Sequence, residues 1–241
     1  EDYQIAIARA PVCPAARADL WFANDESGSV SPTEFEDALD FLYQISDGFV
    51  YDNDTGMKAG IIGWTDLVNS AEIVIPITES FGDSGDLGLF GASNISLNNN
   101  TQGIRKLYQV KQNTSAGTRL DRATNYLADL ITAGNGSRPN IPKVAVMLTD
   151  ANSTFINNGN EGGSFAWIGE ANALRNTGAE IVLILIDEAK TAYDSDPISK
   201  FIIDNVVGTN GRVITVPNYA QAADSTQSYI ETASQAICDL S

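Results

Sequence analysis

Short apolar runs that end abruptly in oxygen-bearing residues alternate along this chain with stretches whose apolar positions return every three or four residues. Residues 20–23, Leu-Trp-Phe-Ala, read as a central strand. Soon after, Ser31, Pro32 and Glu34 compose a capping box with proline at the first helical position. Phe35, Leu39, Leu42 and Ile45 then line one helical face, and Asp47-Gly48 stops it. Residues 58–65 and 72–78 read as two strands joined by the short polar turn 66–70. So short a link forces them antiparallel, which places the second at the edge of an otherwise parallel sheet. Residues 79–103, rich in Gly, Asn, Asp and Ser, are a candidate insertion, with a short helix over 104–110 after it.

Thr118 opens a helix with Leu120, Ala123, Leu127, Leu130 and Ile131 on one face, closed by Gly134. Residues 143–149 form the next buried strand, and the polar, glycine-rich stretch 151–163 is expected to be a mobile loop at the rim of whatever binds. A helix over 165–177 ends at Gly178, and 180–187 is a continuous apolar strand buried on both faces. Asp196-Pro197 starts a helix running to Val207 and stopped by Gly208; 212–216 is a last strand, and 224–238 a last helix with Ile230, Ala233 and Ile237 inward. Such alternation predicts an α/β fold: a doubly wound, mostly parallel six-stranded sheet with one antiparallel edge strand and helices on both faces. One domain over 18–241, after a lead-in at 1–17, suits a chain of 241 residues.

Candidate chemistry lies where the first strand empties into Asp25-Glu26-Ser27-Gly28-Ser29. A carboxylate with two hydroxyls spaced two apart suits a hard divalent cation such as Mg²⁺. Two later stretches strengthen that reading: a hydroxyl at Thr118 where a helix begins, and a second apolar strand ending in Thr149-Asp150. In a doubly wound sheet ligands sit beyond the carboxyl ends of the strands, where strand order reverses, so Asp25 and Asp150 are expected to end neighbouring strands with Thr118 close by.

The order Asp-x-Ser-x-Ser, then Thr, then Asp resembles the metal-ion-dependent adhesion site of the von Willebrand factor type A family, over about residues 18–238. That resemblance implies a Rossmann-like sheet and a metal set of Asp25, Ser27, Ser29, Thr118 and Asp150. It implies that Ser27 and Ser29 ligate the ion through their hydroxyls, Thr118 directly or through water, and Asp25 and Asp150 mainly through bound waters. The ion it implies is Mg²⁺, or Mn²⁺ or Ca²⁺ in its place. A protein partner presenting an Asp or Glu carboxylate completes it, as in a non-enzymatic adhesion or matrix-binding module outside the cell. The family's termini lie close together, so the resemblance also implies a bridge between Cys13 and Cys238.

Composition narrows the field. With 14 basic against 31 acidic side chains and a formal charge of −17, the long-range field repels nucleic acid and anionic membrane. There is no histidine, which removes Ser-His-Asp and Cys-His catalysis and the common zinc sites. The longest strongly apolar run, 181–186, is too short to span a bilayer. The sequence opens at Glu1 without the pattern of a leader, from which a removed signal or an excised domain is expected.

Around the candidate site, Glu26 is expected to face solvent. Trp64 is either a binding anchor or a core residue, and Asn152, one of six glycosylation sequons, stands so near Asp150 that it is expected to be unmodified. These residues are the candidate ligand rim. Two other functions share parts of the pattern. A haloacid-dehalogenase-like phosphatase also ends its first strand in Asp, but it needs a second acid where Ser27 stands. An intracellular chelatase-type assembly module keeps the same fold, against which the terminal cysteines argue.

Overall fold

The capping box of the first helix forms as its sequence predicts. Ser31 Oγ accepts from the Glu34 backbone N–H and Glu34 Oε2 accepts from the Ser31 N–H, so two otherwise orphaned donors are satisfied. The computed structural model describes residues 12–50, 56–64, 73–75, 118–132, 137–158 and 165–241. In chain order these residues form β1 (Asp19–Asp25), α1 (Pro32–Ser46), β2 (Lys58–Trp64), β3 (Ile73–Ile75), α2 (Leu120–Thr132), β4 (Lys143–Thr149) and α3 (Ser153–Asn158). There follow α4 (Ala166–Asn176), β5 (Ala179–Ile186), α5 (Glu188–Ser195), α6 (Pro197–Val207), β6 (Arg212–Val216), α7 (Tyr219–Ala223) and α8 (Tyr229–Cys238). The candidate insertion 79–103, the helix expected over 104–110, the turn 66–70 and most of the lead-in lie outside the described residues.

The strands form one six-stranded sheet in the order β3-β2-β1-β4-β5-β6. Every neighbouring pair is parallel except β2 and the edge strand β3, which run antiparallel. This is the expected doubly wound architecture. Strand order reverses between β1 and β4, whose register places Asn24 opposite Leu148. Asp25 and Asp150 therefore leave adjacent strands at the same end of the sheet.

Because successive strand side chains alternate between faces, the sheet builds two cores. Leu20 and Phe22 of β1, with Val144, Val146 and Leu148 of β4, pack beneath α1, α7 and α8. Trp21 and Ala23, with Ala145 and Met147, pack beneath α2, α4 and α6. Each large apolar side chain so buried contributes roughly 1.5–3 kcal/mol. At the opposite end from the carboxylates, Arg138 ties the sheet together: its Nε donates to the fully buried Asp19 at 2.7 Å and its Nη2 to the carbonyls of Ala18 and Gly56. Cys13 and Cys238 are joined by a disulfide, which links the segment before β1 to the end of α8.

Four helices differ from the sequence reading, among them the short α7 (Tyr219–Ala223), which the pattern did not single out. The stretch 151–163 is not loop throughout, since α3 forms there with Asn152 Oδ1 accepting from the N–H groups of Thr154 and Phe155 and Ile156 buried. An additional helix, α5, occupies 188–195. The last helix begins later than expected. Asp224 turns its carboxylate onto the Thr226 N–H at 2.9 Å, which separates the short α7 from α8.

Candidate metal centre

Asp25 closes β1 and is fully buried. Its Oδ1 accepts from the Ser27 N–H at 2.9 Å, folding the chain back over the strand end, and its Oδ2 accepts from Thr149 Oγ1 at 2.7 Å. Ser27 Oγ and Ser29 Oγ share a hydrogen bond of 2.9 Å, and Ser29 Oγ donates to Asp150 Oδ1 at 3.0 Å. Thr149 Oγ1 also accepts from the Ala151 N–H at 3.1 Å, fixing the chain where it passes Asp150. Four of the five proposed donors, Asp25, Ser27, Ser29 and Asp150, thus belong to one network built from two segments more than a hundred residues apart. Thr118 is buried, two residues before α2, and is not part of that network.

The electrostatics are those of carboxylates short of positive charge. Burial pushes the Asp25 carboxyl up to about 6 against the hydrogen bonds from Thr149 and Ser27, with the Glu26 charge adding to the rise. Burial, followed by the Asp25 charge, pushes Asp150 up to about 7 although Ser29 donates to it. The buried phenol of Tyr219 is raised well above its ordinary value, first by burial and then by the charges of Asp150 and Asp25. Among the described residues no three Asp, Glu or Cys side chains gather to hold a metal by themselves. The cluster's donors are instead two carboxylates and hydroxyls, the mixed oxygen set that hard cations take.

Of the three candidate rim positions the structure corrects Glu26 and, of the two readings of Trp64, gives the core one. Glu26 does not face solvent: it is 6% exposed, its N–H donates to the Trp64 carbonyl at 2.9 Å, and its carboxylate lies against Gly63. A Cβ on Gly63 would stand 1.8 Å from Glu26 Oε1, so the absence of a side chain there is what admits the carboxylate. Trp64 is not a surface anchor. It is 2% exposed and packs into the core shared with α2 and α4, because its position on β2 points to that face. Asn152 is half-buried, and its amide oxygen is engaged in capping α3.

Thr149 was missed by the motif reading. Its signal was available: it lies one residue before Asp150, at the end of a strand, with the strand alternation that puts it on the Asp25 side. Glu26 was visible as an acid but not as a buried one, since nothing local shows that a glycine on the neighbouring strand makes room for it.

The model of the von Willebrand factor type A domain matches residues 90–228, more than half of the chain. The chain belongs to the von Willebrand factor type A domain family. The match includes Thr118 and Asp150 and begins after the Asp25–Ser29 turn. Matrilin-1 of Mus musculus is 30% identical over 142 residues, covering 59% of this chain and 25% of matrilin-1. Among solved structures, proximal thread matrix protein 1 from the mussel byssus, with a zinc-occupied MIDAS motif, superposes with a TM-score of 0.58 at 17% identity, over 95% of this chain and 47% of that one. Manganese-loaded TRAP protein of Plasmodium vivax superposes with a TM-score of 0.53 at 13% identity, over 90% of this chain and 74% of that one. Such distant structural matches establish the fold. The type A domain spans a quarter of the length of matrilin-1 and about half of the mussel protein.

Proposed function

We propose that this type A domain is an adhesion or matrix-binding module, that Asp25, Ser27, Ser29, Thr118 and Asp150 hold a divalent cation, and that the cation takes an Asp or Glu carboxylate from a protein partner. The observation that carries the reading is the hydrogen-bonded chain from Asp25 through Ser27 and Ser29 to Asp150, assembled across the point where strand order reverses. Two buried carboxylates whose ionisation is opposed by burial would be relieved by a cation, and the hydroxyls between them supply further lone pairs.

With only two carboxylates in the set, a divalent ion is not over-neutralised, and it keeps the Lewis acidity to bind an incoming acid. Mg²⁺ is the expected ion, with Mn²⁺ or Ca²⁺ in its place; the zinc and manganese in the mussel and Plasmodium structures support a divalent ion in general. The module performs no catalysis in this reading. Its setting is extracellular, in keeping with the disulfide and with the matrix protein of the mussel byssus. Among the described residues no helix is long and apolar enough to cross a membrane.

Calorimetric titration with Mg²⁺ and Mn²⁺ tests the proposal. The wild-type chain is expected to bind one equivalent, and Asp25→Ala to lose at least about tenfold in affinity, as loss of a charged ligand group costs 1.4 kcal/mol or more. Unchanged affinity in Asp25→Ala overturns the reading.

A further inference from the structure

The two cores account for nearly all large apolar side chains among the described residues; of the four exposed ones, Val50 follows α1 and the other three lie at the start of α4 and on α6. Phe165, Ile198 and Phe201 are 59%, 56% and 54% exposed. The rings of Phe165 and Phe201 meet edge to face with centroids 6.3 Å apart, and Ile198 lies one turn before Phe201 on α6. One turn after Phe165, Gly169 has nothing within 4 Å of where a Cβ would stand, so the surface beside the ring is open. The packing of α6 does not require these side chains, because Ile202, Ile203, Val206 and Val207 already bury its inner side. A contiguous exposed apolar patch of a few hundred Å² is often an interaction surface.

The charges around the patch indicate what covers it. Lys200 is committed to Asp204 at 3.1 Å and lies over the Tyr193 ring at 4.1 Å, and Lys190 is paired with Asp194. Glu170 on α4 and Asp196 at the start of α6 add negative charge that neither lysine offsets. A complementary surface therefore carries Lys or Arg around an apolar side chain. A second copy fits poorly, since each copy bears a formal −17 and three half-exposed side chains offer only about 300 Å² against the roughly 800 Å² per partner of a stable interface.

The patch is also mechanically joined to the segment that leaves Asp150. Asn157 of α3 donates to Asp196 Oδ2 at 2.6 Å and accepts from Ser199 Oγ at 3.0 Å, fastening α3 to the first turn of α6 beside Ile198. The surface thus belongs to the same end of the domain as the carboxylate cluster.

We propose that Phe165, Ile198 and Phe201 form a docking surface for a large apolar side chain flanked by Lys or Arg on a protein partner. This contact goes beyond the cation reading and does not depend on it. The test uses three fluorescein-labelled synthetic peptides of equal length, alternating Lys with Phe, Lys with Ser, and Glu with Phe, with binding read by anisotropy. The Lys/Phe peptide is expected to bind at least about tenfold more tightly than either other peptide, a margin typical of one aromatic anchor, with no change on adding EDTA.

Phe165→Ser/Phe201→Ser is expected to remove that margin, and Ile198→Ser to reduce it; all three positions are exposed, and unchanged circular dichroism melts verify folding. Equal binding of Lys/Ser reduces the effect to charge and overturns the proposal, as does equal binding of Glu/Phe. Full binding by the double variant, loss of Lys/Phe binding in EDTA, or a sedimenting dimer of the protein that the double variant dissolves would each overturn it as well.

Discussion

At the scale of single residues, burial raises the carboxyls of Asp25 and Asp150 toward neutrality, and this has a measurable consequence. Both carboxyls are raised from 3.8, to about 6 and about 7. The folded chain therefore binds more protons than the unfolded chain between about pH 4 and pH 7, and the stabilisation from this pair is present below pH 4 and lost as pH rises through 6 and 7. Without divalent cation the urea midpoint is expected to fall between pH 5 and pH 7.5, and Asp150→Asn, which cannot ionise, to show a shallower fall. Cation added at pH 7.5 is expected to recover the loss. A wild-type midpoint that rises over this interval, or falls as steeply in Asp150→Asn, would count against the electrostatic account. Glu26 shows why a residue's environment is hard to read locally. Its acidity is plain in the sequence, but its burial is decided by Gly63 on the neighbouring strand.

At the scale of elements, those whose ends carry their own chemistry were legible. The Ser31–Glu34 capping box, the Pro32 start and the Phe35-Leu39-Leu42-Ile45 face defined α1 within its observed bounds. Ser31→Ala removes the oxygen that receives the Glu34 N–H, and is expected to lower stability by about 1 kcal/mol in urea denaturation while leaving cation affinity within about twofold. A loss of affinity as large as that of Asp25→Ala would show that α1 positions the Ser27–Ser29 turn.

Elements governed by packing were less visible. The sequence of α5, Glu-Ala-Lys-Thr-Ala-Tyr-Asp-Ser, buries only Ala189 and Ala192, too sparse a pattern to stand out. In α3 the polar composition masked a helix that Asn152 caps and Ile156 anchors. The expected helix over 224–238 starts only at Tyr229 because Asp224 bonds its own local backbone, a choice that helical periodicity does not record.

At the scale of the whole molecule, alternation of apolar runs with helical patterns was enough to place the sheet and both helical layers, because the burial of β1, β4 and β5 is written in their own residues, and the short link after β2 placed the antiparallel edge. The disulfide and the clamp of Arg138 on Asp19 fasten the chain at the end of the sheet opposite the carboxylates. The convergence of Asp25 with Asp150 followed from topology, whereas Thr118, buried two residues before α2, stands outside their hydrogen-bonded network. Anomalous diffraction from crystals grown with Mn²⁺ tests this most directly. The account predicts a single manganese peak bounded by the side-chain oxygens of Asp25, Ser27, Ser29, Thr118 and Asp150. A peak elsewhere, or none at this cluster at saturating Mn²⁺, would contradict it.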